Sequence, residues 1–296
     1  MRAALSLAAG VASLLATPAL ATDIVVKDFV GKITVNEGAP DMDVKRSHPK
    51  LDTSMGETIR IDGGIEKPYK TKVCDYGSGL NIVINGRDRG LERRLEDYPN
   101  IELSVPEGAS LTVENSWVWL DAEDVTLARA DLDVGGCMPL GFGDILEADI
   151  SKSGSGDITA GQVGSLTLSK SGSGDVEIDD VGTFKLSQSG SGELDIGRVG
   201  VSADIKKSGS GDVEIGEITG PLTISKSGSG DVDVGGGMIP DLSISKSGSG
   251  DVDIAADVVD ADLRSSGSGD IDVVRVTGDL VQRSSGSSEI SVGSRD

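Results

Sequence analysis

Pro221-Leu-Thr-Ile-Ser-Lys-Ser-Gly-Ser-Gly-Asp-Val-Asp-Val234 is the stretch on which the fold turns. Leu222 and Ile224 alternate with Thr223 and Ser225, and beyond the glycines Val232 and Val234 alternate with Asp231 and Asp233. Alternation at period two marks strands with one buried face. The unit reads as two short strands joined at Ser-Gly-Ser-Gly, where glycine admits positive φ and lets neighbouring backbones approach closely.

The unit recurs at Ser153–Asp157, Ser171–Asp175, Ser189–Glu193, Ser208–Asp212, Ser227–Asp231, Ser247–Asp251 and Ser266–Asp270, with a worn copy at Ser285–Glu289. The acidic residue advances by 18 to 20 positions each time. After the corner the apolar slots are filled by Val176/Ile178, Leu194/Ile196, Val213/Ile215, Val252/Ile254, Ile271/Val273 and Ile290/Val292. Before it they are filled by Leu166/Leu168, Phe184/Leu186, Ala203/Ile205, Leu242/Ile244 and Ala261/Leu263. A hairpin meander would not need an identical corner in every unit, and a flexible linker would not keep paired β-branched residues in register. The expected fold is all-β: a single-stranded parallel β-helix with coils of about 18–20 residues, each strand pairing with its own copy one coil away. At about 4.8 Å per coil, eight coils span roughly 40 Å.

Stacking makes ladders. Asp157, Asp175, Glu193, Asp212, Asp231, Asp251, Asp270 and Glu289 form one acidic row, and Glu177, Asp195, Glu214, Asp233, Asp253 and Asp272 a second on the outward face. Like charges at that spacing repel. Lys152, Lys170, Lys207, Lys226 and Lys246 stand five residues before the acids, with Gln188, Ser265 and Ser284 in the other copies. The expectation is a solvated surface of ion pairs, with serine hydroxyls bonding to the carboxylates. A calcium-binding roll is the alternative, with Asp157, Asp175, Asp212, Asp231, Asp251 and Asp270 as weak candidate ligands. Its fit is poor, because Asp follows Gly directly and each unit has only one Gly-rich loop. No catalytic, cofactor-binding or metal site is expected.

Residues 1–21 have the form of a secretory signal: Arg2, an uncharged apolar run from Ala3 to Leu15, and Ala19-Leu20-Ala21 for cleavage after Ala21. Export to the periplasm, cell surface or medium is expected. The apolar run is short of the roughly 20 residues that span a bilayer, and no later segment is apolar enough to cross as a helix. The net charge of −22 is shared by both halves and disfavours nucleic acid and anionic membrane as partners. The two cysteines, Cys74 and Cys137, suit a disulfide in an exported chain, and His48 is the single histidine.

Residues 22–145 read as irregular coils that cap the stack, and 146–296 as the regular repeat. Strand candidates in the first part are 23–35, Leu80–Ile84, Ile101–Val105, Leu111–Val113 and Trp117–Leu120, and Leu140-Gly-Phe-Gly-Asp-Ile145 reads as a degenerate corner. Trp117 and Trp119 share a strand face, either as a carbohydrate platform or, more commonly, packed beneath a loop. Arg87, Arg89, Arg93 and Arg94 form a basic cluster read as a solvated loop. Gln282 in an apolar slot, Ser288 for Gly and Glu289 for Asp mark a polar C-terminal cap that blunts an open edge.

Repeated Ser-Gly-Ser-Gly-Asp followed by an apolar-acidic-apolar strand resembles the bacterial auto-transporter adhesin "head GIN" domain and a related adhesin family of unknown function. The resemblance is strongest over 146–292 and extends weakly to Pro99–Val113. It implies a right-handed parallel β-helix of the cell envelope and brings no catalytic residues with it. The expected function is an exported, non-enzymatic, adhesin-like binding or structural protein. Its partner is an envelope, surface or glycan component, and copies could pair through the solenoid ends. The alternatives are a calcium-dependent repeat adhesin and a β-helical polysaccharide-active enzyme. The latter needs a special carboxylate or metal cluster in a loop-walled groove, whereas the carboxylates here are regularly spaced.

Overall fold

The structure, a computed structural model, describes residues 22–64 and 97–294 together with three two-residue strands, Cys74–Asp75, Asn81–Ile82 and Arg93–Arg94. Every described element is a β-strand; most of them stack as about ten parallel coils of a β-solenoid, while Cys74–Asp75, Asn81–Ile82 and Arg93–Arg94 pair antiparallel in a separate three-stranded sheet. The signal-like segment 1–21 lies outside the described residues, as does most of the expected strand Leu80–Ile84.

One coil shows how the sequence closes. Strand Val176–Gln188 runs without interruption, with Val176, Ile178, Val181, Phe184, Leu186 and Gln188 buried. In this coil the strand after one corner and the strand before the next are one strand, whereas in others the two stay separate, as Val213–Thr219 and Leu222–Lys226 do. The inward parity shifts on both sides of Val181, from Ile178 to Val181 and from Val181 to Phe184, and a Cβ at Gly182 would collide with the Gly164 carbonyl oxygen of the coil below.

The register is that of a coil. Val176 pairs with Leu194, Leu194 with Val213, Val213 with Val232, Val232 with Val252, Val252 with Ile271 and Ile271 with Ile290. Phe184 pairs with Ala203, and the row continues through Leu222, Leu242 and Ala261 to Leu280. Every one of these pairings is parallel. The inward side chains merge into one apolar column from Ile24 to Val276. Each fully buried Val, Leu, Ile or Phe contributes about 1.5–3 kcal/mol of transfer free energy.

The N-terminal end is built out of sequence order. Asp23–Lys27 lies between Thr58–Asp62 and the first part of Ala109–Ala122. Val30–Glu37 lies between Asn100–Val105 and the second part of Ala109–Ala122. Residues 23–37 thus form the second level of the stack, and 58–62 with 100–105 form the first. Antiparallel strands Asp52–Ser54 and Asp41–Arg46 pair with that first level and cover its edge.

The stretch 140–145 is not a corner. Gly135 and Gly136 pair with Ser153 and Gly154, so the corner of that coil begins at Gly135. Leu140–Phe142 pairs with Ile158–Ala160 in the strand that follows the corner. Leu140 and Phe142 are buried at i and i+2, which is strand parity. At the last described level, Gln282 pairs with Leu263, occupies its slot and is exposed.

Candidate functional site

The Ser-Gly-Ser-Gly-Asp corners stack into one continuous edge. Their amides keep the coil-to-coil pattern: the Ser171 N–H donates to the Lys152 carbonyl at 3.0 Å, and the Ser173 N–H to the Gly154 carbonyl at 3.0 Å. Both glycines are needed, because the backbone of the corner below leaves no room for a Cβ at either. A Cβ on the first, as at Gly172, Gly190, Gly209 or Gly228, would collide with the carbonyl oxygen of the corner below. A Cβ on the second would also collide with backbone, with the Gly156 oxygen at Gly174, the Gly174 oxygen at Gly192 and the Ser229 oxygen at Gly250, and would in addition crowd Lys152, Lys170 and Lys226 Nζ at 2.6–2.7 Å.

Those lysines overturn the expected solvated ion-pair surface. Lys152, Lys170, Lys207, Lys226 and Lys246 point inward and are between 1% and 4% exposed, with Gln188 and Ser265 buried in the same row. The reason is parity: Lys226 follows Ile224 by two, as Ile224 follows Leu222, so all three face inside. Gln188 Nε2 donates to the Gly192 carbonyl at 2.7 Å. Lys226 Nζ donates to the Gly228 carbonyl at 3.4 Å, and Lys246 Nζ to those of Gly248 and Gly269. Among the described residues the ammonium groups of Lys152, Lys170 and Lys207 have no hydrogen-bond partner. Burial lowers the proton affinity of all five. Burial, reinforced by neighbouring lysines, brings Lys170 and Lys226 down to about 8.

The aspartates outside the corner are bound to backbone, where serine hydroxyls were expected. Oδ1 of Asp157 accepts the Asp175 N–H at 2.9 Å, and Asp175 accepts from Glu193 at 2.8 Å. Asp212, Asp231, Asp251 and Asp270 accept from Asp231, Asp251, Asp270 and Glu289 at 2.7–2.8 Å. Among the described residues the row skips one step, at Glu193, whose side chain is one methylene longer. The aspartates weighed as calcium ligands thus each spend an oxygen on the next coil. Among the described residues no group of three or more His, Cys, Asp or Glu is gathered so as to hold a metal ion.

The second acidic row is also in register, from Glu177 through Asp195, Glu214, Asp233 and Asp253 to Asp272. Partial burial, then repulsion from neighbouring carboxylates, raises the pKa of Asp233 and Asp253.

The outer surface of the corners is a trough of about 600 Å³ running across four coils. It is lined by Ser171, Gly172 and Ser173 and their equivalents in the next three coils, with the serines exposed and the glycines half-buried between them. Its lining carries no charge and no apolar side chain. A smaller cleft of about 210 Å³ follows at the C-terminal coils, with Arg264 and Arg283 beside Ser266 and Ser285.

The other sequence-flagged residues fall elsewhere. Trp117 and Trp119 are half-buried against Val30, Tyr98 and Met138. The Trp117 ring lies over Gly135 and Gly136, and Gly136 has φ +90°, so neither position accepts a side chain. Lys32 Nζ stands 5.5 Å from the centre of the Trp119 ring. Cys137 is buried and disulfide-bonded. The side chain of Cys74, the one other cysteine, lies outside the described residues, as do those of Arg87, Arg89, Arg93 and Arg94.

Residues 179–275, a third of the chain, match the model of a family described as "Putative auto-transporter adhesin, head GIN domain". The matched span falls within the regular coils. No curated protein and no solved structure matches the chain. Family match and solenoid together fit a non-enzymatic, adhesin-like protein.

Proposed function

We propose that the protein is an exported, non-enzymatic, adhesin-like rod of the cell envelope, and that it binds an extended, uncharged glycan along the corner trough. The trough is the observation that carries this reading. It offers two rows of serine hydroxyls with glycines between them, repeating about every 4.8 Å. A linear polymer rich in hydroxyl groups, with monomers advancing by a similar distance, meets equivalent donors and acceptors at each coil. The aspartate row beside the trough repels polyanions, and the uncharged, polar lining gives neither a lipid nor an apolar peptide anything to bury. No helix among the described residues is long and apolar enough to cross a membrane.

Co-sedimentation of the purified chain with insoluble neutral glycans (cellulose and chitin) and with an anionic polymer (alginate) tests the reading. Binding to a neutral glycan that is lost in Ser191→Arg and Ser210→Arg supports it. Preference for alginate, or binding indifferent to both substitutions, overturns it. Repeating the assay in EDTA separates this reading from a calcium-dependent adhesin, whose binding collapses. Protease shaving of intact cells separates a surface position from a periplasmic one.

A further inference from the structure

The eight corners vary at two positions together. All five lysines precede an aspartate by five residues, whereas Gln188 and Ser284 precede Glu193 and Glu289; Ser265 alone departs, preceding Asp270. Yet lysine and aspartate do not touch. The lysine lies inside the coil, the carboxylate outside, and the corner backbone passes between them. A low-dielectric wall of that kind screens little, so the two charges act on each other through it.

We propose that the buried lysines and the corner aspartates form a charge-regulated spine, in which the protonation of the lysine row sets how tightly successive corners stack. The groups facing each lysine are few. Lys152 faces Asp157 and Asp175, with Val134 and Lys170 above and below. Lys170 faces Lys152, Asp175, Asp157 and the neutral Gln188. Lys207 faces Asp212 and Asp231, between Gln188 and Lys226. Lys226 faces Lys207, Lys246, Asp231 and Asp251. Lys246 faces Asp251, Asp270 and Asp231, between Lys226 and Ser265.

Charged, the row stacks like charges one coil apart inside the protein, and among the described residues three of the five ammonium groups lack a hydrogen bond. The aspartates outside offset part of that repulsion. Loss of a proton removes the repulsion and leaves a neutral amine, cheaper to bury. Gln188 and Ser265 act as neutral spacers that divide the row into a pair and a triple. The corners should therefore tighten as the medium turns mildly alkaline, the direction in which the pKa of about 8 for Lys170 and Lys226 points. The spine does not depend on what occupies the trough.

Hydrogen exchange on the full chain at pH 7 and pH 9, corrected for intrinsic exchange, reads it at the corners 170–176 and 226–232. The expected result is several-fold greater protection of corner amides at pH 9. That gain should disappear at the substituted corners in Lys170→Met and Lys226→Met. The pairing across the backbone is tested by a cycle of Lys226→Met with Asp231→Asn, since Asn keeps the oxygen that accepts the Asp251 N–H. Asp231→Asn should loosen the corner in the natural chain and have little effect when combined with Lys226→Met. If Lys226→Met does not fold, Lys226→Gln copies what the slot already accepts at Gln188. An unchanged pH response in the Lys→Met or Lys→Gln variants, or a strictly additive cycle, overturns the proposal.

Discussion

The backbone N–H of Asp231 donates to Oδ1 of Asp212 at 2.7 Å, and Asp231 in turn accepts from the Asp251 N–H at 2.7 Å. Each aspartate therefore fastens the coil that follows it with its side chain and is fastened to the coil before it by its amide.

That relationship separates three substitutions at one site. Asp231→Asn keeps the acceptor and loses only the charge opposite Lys226, so it should cost the least of the three. Asp231→Ala orphans the Asp251 amide and should cost about 1–3 kcal/mol. Asp231→Glu should fall between them, because the longer side chain at Glu193 makes no such bond. Urea unfolding of the three variants checks the order.

Both corner glycines should resist substitution. Gly209→Ala drives a methyl group into the Gly190 carbonyl, and Gly250→Ala drives one into the Ser229 and Gly230 carbonyls; neither can yield without parting two coils. Both variants should lose stability, and Lys226→Met should rescue neither, because backbone stands nearer to the Gly250 position than Lys226 Nζ does. Thermal unfolding of the single and double variants checks this.

Stability should rise on the alkaline side. The pKa of Lys170 and Lys226 is about 8 in the folded protein and 10.5 without burial. Between those values the unfolded chain binds more protons than the folded one, so raising the pH favours folding. The gain is up to roughly 1.4 kcal/mol per pH unit for each lysine. The urea midpoint should increase from pH 8 to pH 10, and should do so less in the double variant Lys170→Met, Lys226→Met.

A bond between Cys74 and Cys137 would tie the segment before Asp97 to the Gly135 corner. Intact-protein mass with and without reduction, followed by alkylation, should show one internal disulfide and no free thiol. Reduction should lower the stability, by about 4 kcal/mol in the chain-entropy account of a loop this long. Two alkylated cysteines before reduction would exclude the pairing.

The coil was legible because its evidence is local and repeated: Leu222, Ile224, Val232 and Val234 show the parity, and the corner shows the period. The same parity also places Lys226 inside, although its charge argues for solvent. What tips the balance is the glycine at 250, which leaves room for an ammonium that a residue-by-residue reading does not see. The aspartate row was visible as a row, but its backbone partners were not, because they lie a full coil away. The level occupied by 23–37 could not be read at all. Its neighbours, 58–62 and 109–122, carry no repeat that would fix their order.

That inserted level has a consequence for how the chain comes together. Asp23–Lys27 is made early, yet it lies between one strand that ends at Asp62 and another that starts at Ala109. A chain emerging N-terminus first, from a ribosome or through a pore, must hold this β-branched segment without its upper partner until some eighty more residues have followed. The regular coils face no such delay, since each can dock on the one just finished. Assembly therefore has a late-closing end and a self-propagating end, and the late one is where a chaperone would find exposed strand to hold.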